Sequence, residues 1–267
     1  MNTESALSGM RVLVTRPADQ AASLCARIER CGGEAIRFPV IEIVPPRDPA
    51  ALSRALDDLA EADLAVFVSA NAVARVGALL RRRGLALGAA RVAAVGPRTA
   101  AQCAREGVAV DFVARERIDS EGLLEALRDF DVADKKVLIF RGDGGRELIE
   151  RALSARGASV RYVETYRRAR ADLGVAPLLT RWRARGVDAV AVTSIAVADA
   201  LWRTLGADGR ALLARTPIFA YSARVAEHCR KLGAAHAHAA ARPDDDALVG
   251  AIIAWAARRM RERERDV

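Results

Sequence analysis

Six places in this chain bring hydroxyls, arginines and small residues together where a short apolar run gives way to a helical pattern. They are Thr15-Arg16-Pro17, Ser69-Ala70-Asn71, Gly96-Pro97-Arg98-Thr99, Arg141-Gly142-Asp143-Gly144-Gly145, Thr193-Ser194 and Tyr221-Ser222-Ala223-Arg224. Such groups donate hydrogen bonds, carry positive charge and leave backbone N–H groups accessible, so they suit anion reception better than bond cleavage. Each is also what an ordinary helix N-cap requires, because Ser, Thr, Asn and Asp accept from the orphan N–H groups of the first turn. One capped end says little; six of them favour a binding cleft. No nucleophile–base pair accompanies them. His228 sits in a helical pattern, and His236 and His238 in AHAHAA share one strand face without a Cys or acidic partner at ligand spacing. A surface strand is the plainer reading of that pair than a metal site. The glycine-rich dinucleotide and P-loop signatures and the GxSxG nucleophile elbow are absent from the sequence.

The elements that must position these groups are short apolar runs alternating with 3.6-residue patterns along the whole chain. Strands are expected at Arg11–Thr15, Ala35–Val44, Asp63–Val68, Arg91–Val95, Val110–Ala114, Lys136–Phe140, Val160–Tyr166, Asp188–Thr193, Thr216–Tyr221 and Ala235–Ala239. Helices such as Ala21–Arg30, Ala72–Arg83, Arg146–Ala155, Ala223–Lys231 and the terminal Ala247–Arg265 lie between or after them. Several close on Gly32, Gly84, Gly107, Gly157 or Gly233, as a left-handed C-terminal residue demands. Nearly continuous apolar strands separated by helices argue for parallel sheets covered on both faces, a doubly wound α/β architecture. In such sheets ligands bind at the carboxyl ends of the strands.

An internal repeat sharpens this picture. VLVTRP and VLIFRG place Arg16 and Arg141 125 residues apart, and DLAVFVSANAV and DAVAVTSIAV place Ser69 and Ser194 at the same spacing. SEGLLEAL and DDALVGAI repeat it with Leu123 and Leu248, while Gly96 stands opposite Ser222 at 126. The chain is two copies of one α/β unit. FPVIEIVPP and YVETYRR also correspond, and both end in extended, polar or Pro-bearing stretches suited to two crossings of the chain between domains.

Bulk properties narrow the classes. The 267 residues suit two domains, and 52% hydrophobic content gives each its own core. The formal charge of +8 fits Arg-rich solvated helix faces or an anionic partner. Outside the tail RRMRERERDV no basic run or aromatic-interleaved stripe appears, which argues against nucleic acid. Cys25, Cys31, Cys103 and Cys229 form no CxxC and read as packing residues in a reducing compartment. No signal peptide and no stretch of about 20 apolar residues is present, so a cytoplasmic protein without membrane contact is expected.

The residues at the strand ends also carry a family resemblance. VLVTRP with FPVIEI is similar to the opening of uroporphyrinogen-III synthases, and VFVSANAV, AVGPRTA, DSEGLLEAL, RGDGGRELIERALSARGA, VETYRR, TSIAV, YSARVAEHCRKLGA and DDALVGAI follow in that family's order. Each motif is short; the ordered set spans residues 10–254. The resemblance implies two similar doubly wound domains, residues 1–38 with 169–267 and residues 46–162. A two-stranded linker at 39–45 and 163–168 would join them, with the active site in the cleft between. This overrides a boundary near Asp134 that the repeat alone would give.

The resemblance further implies a cofactor-free, metal-free ring closure of hydroxymethylbilane, a linear tetrapyrrole with eight carboxylates, by a monomer that has room for transient contact with hydroxymethylbilane synthase. Tyr166 matches the family tyrosine whose phenol is thought to help a hydroxyl leave; its alternative role is to anchor the linker through its ring. Thr99, Ser69, Ser194 and Thr193 match family positions that face the cleft, and with the other candidates they give an expected substrate-binding set of Thr15, Arg16, Ser69, Asn71, Gly96, Thr99, Ser120, Arg141, Gly142, Thr193, Ser194, Ser222 and Arg224. The counterpart of Thr99 in the second copy is Val225, a departure for which Ser222 and Arg224 would have to compensate. Two other classes compete: a non-catalytic tetrapyrrole or anion sensor, and a sugar or nucleotide transferase. The former would need an output domain. The latter would need a diphosphate-gripping loop or a metal-binding acidic pair, and Asp244-Asp245-Asp246 reads instead as a helix cap.

Overall fold

A computed structural model describes residues 3–265. Its elements in chain order are β1 (Arg11–Val14), α1 (Ala18–Arg30), β2 (Glu34–Arg37), β3 (Ile41–Val44), α2 (Pro49–Asp57), β4 (Leu64–Phe67), α3 (Ala70–Arg83), β5 (Arg91–Ala94) and α4 (Pro97–Arg105). There follow β6 (Phe112–Val113), α5 (Ser120–Ala126), β7 (Lys136–Gly142), α6 (Leu148–Ala155), β8 (Ser159–Arg170), α7 (Val175–Arg183) and β9 (Ala189–Val192). The last are α8 (Ile195–Arg215), β10 (Ile218–Ala220), α9 (Ala223–Lys231), β11 (Ala237–Ala239) and α10 (Asp245–Arg265). The helix-closing glycines behave as the sequence demands: Gly32, Gly84, Gly107, Gly157 and Gly233 all have positive φ.

One expected strand is two. Ala35–Val44 breaks at Phe38-Pro39-Val40, where proline has no N–H to give a ladder. The flanking N–H groups of Phe38 and Val40 donate instead to the carbonyls of Val14 and Thr15, at 2.9 and 3.2 Å. Conversely β8 runs four residues beyond the expected Tyr166, to Arg170.

The chain divides into two compact units, Met1–Glu42 with Ala169–Val267, and Ile43–Arg168. The first unit holds a five-stranded sheet in the order β11-β10-β9-β1-β2. The other sheet has six strands, β6-β5-β4-β7-β8-β3. The two orders are the same through the repeat, and so are the registers. Val12 pairs with Ala189 in parallel in the first unit, and Leu64 with Val137 in the second; 12 to 137 and 64 to 189 are both steps of 125. Arg11 opposite Glu34 and Lys136 opposite Ser159 repeat the match. Each unit therefore combines the opening of one sequence copy with the close of the other.

Burial follows from covering both sheet faces. All four residues of β4 and of β9 are buried, as strands between two helical layers must be. In the second unit one face packs Phe67, Phe140, Val163 and Tyr166 against α2 and α3, and the other packs Val66 and Ile139 against Leu123 of α5 and Ile149 of α6. In the first unit Val12, Val14, Phe219 and Tyr221 meet Leu24 and Ile28 of α1 and Leu248 and Ile252 of α10.

Candidate active site

In both units strand order reverses beside the first strand of the opening segment, between β9 and β1 and between β4 and β7, and the crevice at such a switch point is where doubly wound sheets take ligands. Five of the expected strand-end residues sit there or beside it in the second unit. Ser69 follows β4 and caps α3, its Oγ accepting from the Ala72 N–H at 3.2 Å. Asn71 lies half-buried in the first turn of that helix. Arg141 and Gly142 end β7, and Tyr166 stands beside them on β8 across a bulge, where Arg141 pairs with Glu164 but Gly142 with Tyr166.

The Tyr166 side chain is the centre of this arrangement. Its ring is 1% exposed and belongs to the apolar cluster of Phe67, Phe140 and Val163. It lies so close over Gly142 that a Cβ there would stand 2.6 Å from Cζ. Glycine at 142 is buried and provides the floor for the phenol, where the sequence leads one to expect an accessible backbone. The hydroxyl emerges next to Ser69 Oγ at 3.1 Å and accepts from Arg168 Nη2 at 3.3 Å. Arg168 is held in turn: its N–H donates to Asp143 Oδ1 at 3.1 Å, and the Asp143 N–H donates to the Tyr166 carbonyl at 2.9 Å. Arg168 was absent from the sequence-derived set. The signal was present, because residues i and i+2 of an extended strand share a face, and Tyr166 and Arg168 are so spaced.

The remaining second-unit candidates surround the carboxyl edge of the sheet. The Arg141 guanidinium stacks 4.1 Å from the centre of the Tyr162 ring, and the Gly144-Gly145 loop beyond it is exposed with positive φ at both residues. Gly96 and buried Thr99 open α4, with the Thr99 N–H donating to the Gly96 carbonyl at 3.0 Å. Ser120 is the first residue of α5, while Asp119 caps that helix by accepting from Gly122 at 2.8 Å.

The first unit uses the corresponding positions differently. Thr15 is buried and donates to the Ala191 carbonyl at 2.7 Å, tying β1 to β9. Arg16, expected to face a ligand, is turned inward: it is buried and donates to Asp245, to the Tyr221 hydroxyl and to the Gln20 carbonyl. Tyr221 donates to the same carboxylate. Burial opposes ionisation of Asp245, but the hydrogen bonds from Arg16 and Tyr221 outweigh it and hold the carboxyl below the usual range. Ser194 and Ser222 cap α8 and α9, accepting from Val197 at 3.2 Å and Val225 at 3.4 Å. Thr193 is half-buried beside Ser194, and Arg224 is exposed in the first turn of α9. Asp244 accepts from Ala247 at 2.8 Å at the start of α10, the cap expected of the acidic cluster and the repeat partner of Asp119.

The histidines are placed elsewhere. His238 stacks 5.1 Å from Phe219, and burial lowers its pKa; His228 bonds Asp199 at 2.6 Å on the helical layer. Among the described residues no group of three or more His, Cys, Asp or Glu is placed to hold a metal ion, and no helix is long and apolar enough to cross a membrane.

Comparison with known proteins agrees with this architecture. A family model described as uroporphyrinogen-III synthase HemD matches residues 22–250. The chain is 36% identical over 246 residues to the uroporphyrinogen-III synthase of Salmonella typhimurium, covering 91% of this chain and 100% of that protein. It is 34% identical over 247 residues to the Escherichia coli uroporphyrinogen-III synthase, with the same coverage. Among solved structures, a mutant uroporphyrinogen III synthase from Thermus thermophilus superposes with a TM-score of 0.61 at 21% identity, over 94% of this chain and all of that one. The uroporphyrinogen-III synthetase from Helicobacter pylori gives 0.57 at 14% identity, over 92% and 99% of the two chains. These two show a shared fold.

Proposed function

Since the chain belongs to the uroporphyrinogen-III synthase family, we propose that it closes hydroxymethylbilane into uroporphyrinogen III, inverting ring D and releasing water. Loss of the terminal hydroxyl generates an electrophilic azafulvene. Attack at the substituted position of ring D gives a spiro intermediate, whose fragmentation and reclosure turn that ring over. The bilane closes unaided to the uninverted isomer, so the protein acts mainly by imposing one folded conformation on a flexible chain and secondarily by easing the departure of water. An enzyme of this kind needs many hydrogen-bond donors and few reactive groups.

The observation that carries the reading is the pair of hydroxyls on Ser69 and Tyr166 at the switch point of the second unit, 3.1 Å apart with Arg168 behind them. We assign the phenol of Tyr166 as the proton source for the leaving hydroxyl. Carboxylates of the bilane would be received by Asn71, Ser120 and Arg141, together with Thr193, Ser194, Ser222 and Arg224, while the buried Gly96, Thr99 and Gly142 support the strand ends behind them. Helix N-termini and guanidiniums are both suited to carboxylates. Thr15 and Arg16 hold the first unit's strand ends in place. The substrate's tendency to close unaided favours prompt transfer from hydroxymethylbilane synthase to a cytoplasmic, monomeric acceptor.

The test is to supply freshly made hydroxymethylbilane to the purified protein, oxidise the products and resolve the porphyrin isomers by chromatography. Isomer III should dominate. Isomer I alone, as in a buffer blank, overturns the assignment.

A further inference from the structure

The proton source just assigned is hidden from any substrate, for Tyr166 is only 1% exposed. The Tyr166 ring is sealed in the core of the second unit, and its hydroxyl meets Ser69, which is half-buried at the end of β4. The reachable member of the pair is therefore the serine.

We infer that Ser69 hands the proton to the departing hydroxyl, that the Tyr166 phenol replaces it on Ser69, and that Arg168 is a positioning residue for the phenolate left behind. This rests on the preceding reading of Tyr166 and deepens it.

The bonding around Ser69 fixes the direction of transfer. A hydroxyl has one hydrogen and two acceptor sites. One site of Ser69 Oγ accepts from the Ala72 N–H as the cap of α3. When Tyr166 donates into the other, the hydrogen of Ser69 is released to point away from both. The opposite polarity makes the phenol oxygen accept from both Ser69 and Arg168, and its own hydrogen loses the serine as a partner inside an apolar cluster, at a desolvation cost. Arg168 has donors only. Its Nη2 lies 3.3 Å from the phenol oxygen and its guanidinium carbon 5.6 Å from the ring centre, so it supports a phenol that donates and a phenolate more strongly still.

The step balances. The C–O bond of the terminal hydroxymethyl group breaks and its electron pair leaves with the oxygen, which takes the Ser69 proton and departs as water. Electrons from the adjoining pyrrole nitrogen fill the vacated position and leave the bilane cationic. Ser69 takes the proton of Tyr166, and the phenolate remains against Arg168. The proton that the closing pyrrole later loses returns to Tyr166 through Ser69.

The test separates the relay from the cap. Asparagine caps a helix about as well as serine but has no hydroxyl to pass a proton along. With the full chain and fresh hydroxymethylbilane, read as isomer III formed per unit time, S69N should lower kcat about 100-fold with KM nearly unchanged and thermal melting close to that of the parent. S69T, which keeps the hydroxyl, should restore most of the loss. Y166F should lower kcat similarly, and S69N with Y166F together should be no slower than the slower single variant, because both cut one chain. R168Q should lower kcat without raising KM, and R168K should recover it. A fast S69N beside a slow Y166F overturns the relay and leaves Tyr166 as a direct donor. A fast Y166F removes the tyrosine reading and the relay together. Multiplying effects in the double variant overturn the relay, and a rise in KM equal to the fall in kcat for R168Q removes Arg168 from it.

Discussion

Arg16 and Arg141 occupy the same position in the two sequence copies and end the same strand in the two units, yet their guanidiniums are engaged differently. In the first unit Arg16 is buried against Asp245 and Tyr221. In the second Arg141 is half-exposed, stacked on Tyr162 beside an exposed glycine loop. The repeat partner of Asp245 is Ser120, and that of Tyr166 is Ile41. Duplication supplied two anion-receptive strand ends. One has received a carboxylate from its own chain and become a structural clamp, while in the other a serine, Ser120, stands where that carboxylate would be. A pair of scaffolds with one design lets a buried clamp and the proposed chemistry be placed in different units.

The comparison breaks most readily at Asp245. D245A strands a buried guanidinium, and loss of one partner from such a pair costs about 3–5 kcal/mol, to be read as a lowered urea midpoint. R141A should cost about 1 kcal/mol, the scale of a partly exposed cation–π contact. Equal losses would mean that the two arginines do the same work. The pH dependence carries the same sign. Because the folded Asp245 carboxyl lies below its ordinary value of 3.8, its contribution is complete above that pH and vanishes as pH falls through the lowered folded value. D245N should flatten that part of the acid-unfolding profile.

Gly142 is the next point of attack. A methyl group there enters the Tyr166 ring, and overpacking of this kind costs about 1–3 kcal/mol. G142A should also slow isomer III formation, since the displaced phenol leaves Ser69; unchanged turnover would show that their approach is incidental. A smaller effect separates the two capping serines. S194A should destabilise by about 1 kcal/mol as S69A does, but it should act on KM where S69A acts on kcat. The smallest contrast is an expected identity. Cys103 and Cys229 are repeat partners, and burial pushes both thiols up to about 11. Neither should react with a thiol reagent at pH 8 until the protein unfolds, and prompt labelling of one would show that its unit opens locally.

The scaffold was legible because its signals are local or repeated. Helix-closing glycines, continuous apolar strands and the 125-residue step each announce themselves over a few positions. The site was legible only in part, for a physical reason. A guanidinium at a strand end can turn to solvent or inward, and the choice at Arg16 was made by Asp245, 229 residues away. Tyr166 was found by resemblance, but its burial was not, since it depends on a bulge that sets it over Gly142. Arg168 was within reach of strand periodicity alone. The break at Pro39 was too, given that proline cannot serve a ladder.

The exchange of halves between the copies has a consequence for how the polypeptide is made. The second unit runs without interruption from Ile43 to Arg168, so all its strands have left the ribosome before the first unit can be finished. β1 emerges earliest, yet its inner neighbour β9 lies beyond residue 188. Until then the segment β1–α1–β2 is an unfinished sheet with an open, apolar edge, the kind of surface that invites association with other chains. Vectorial synthesis thus favours completion of the second unit first, with the amino-terminal segment waiting for its partner, and it places the demand for chaperone protection on the part of the molecule that is later held shut by Arg16 and Asp245.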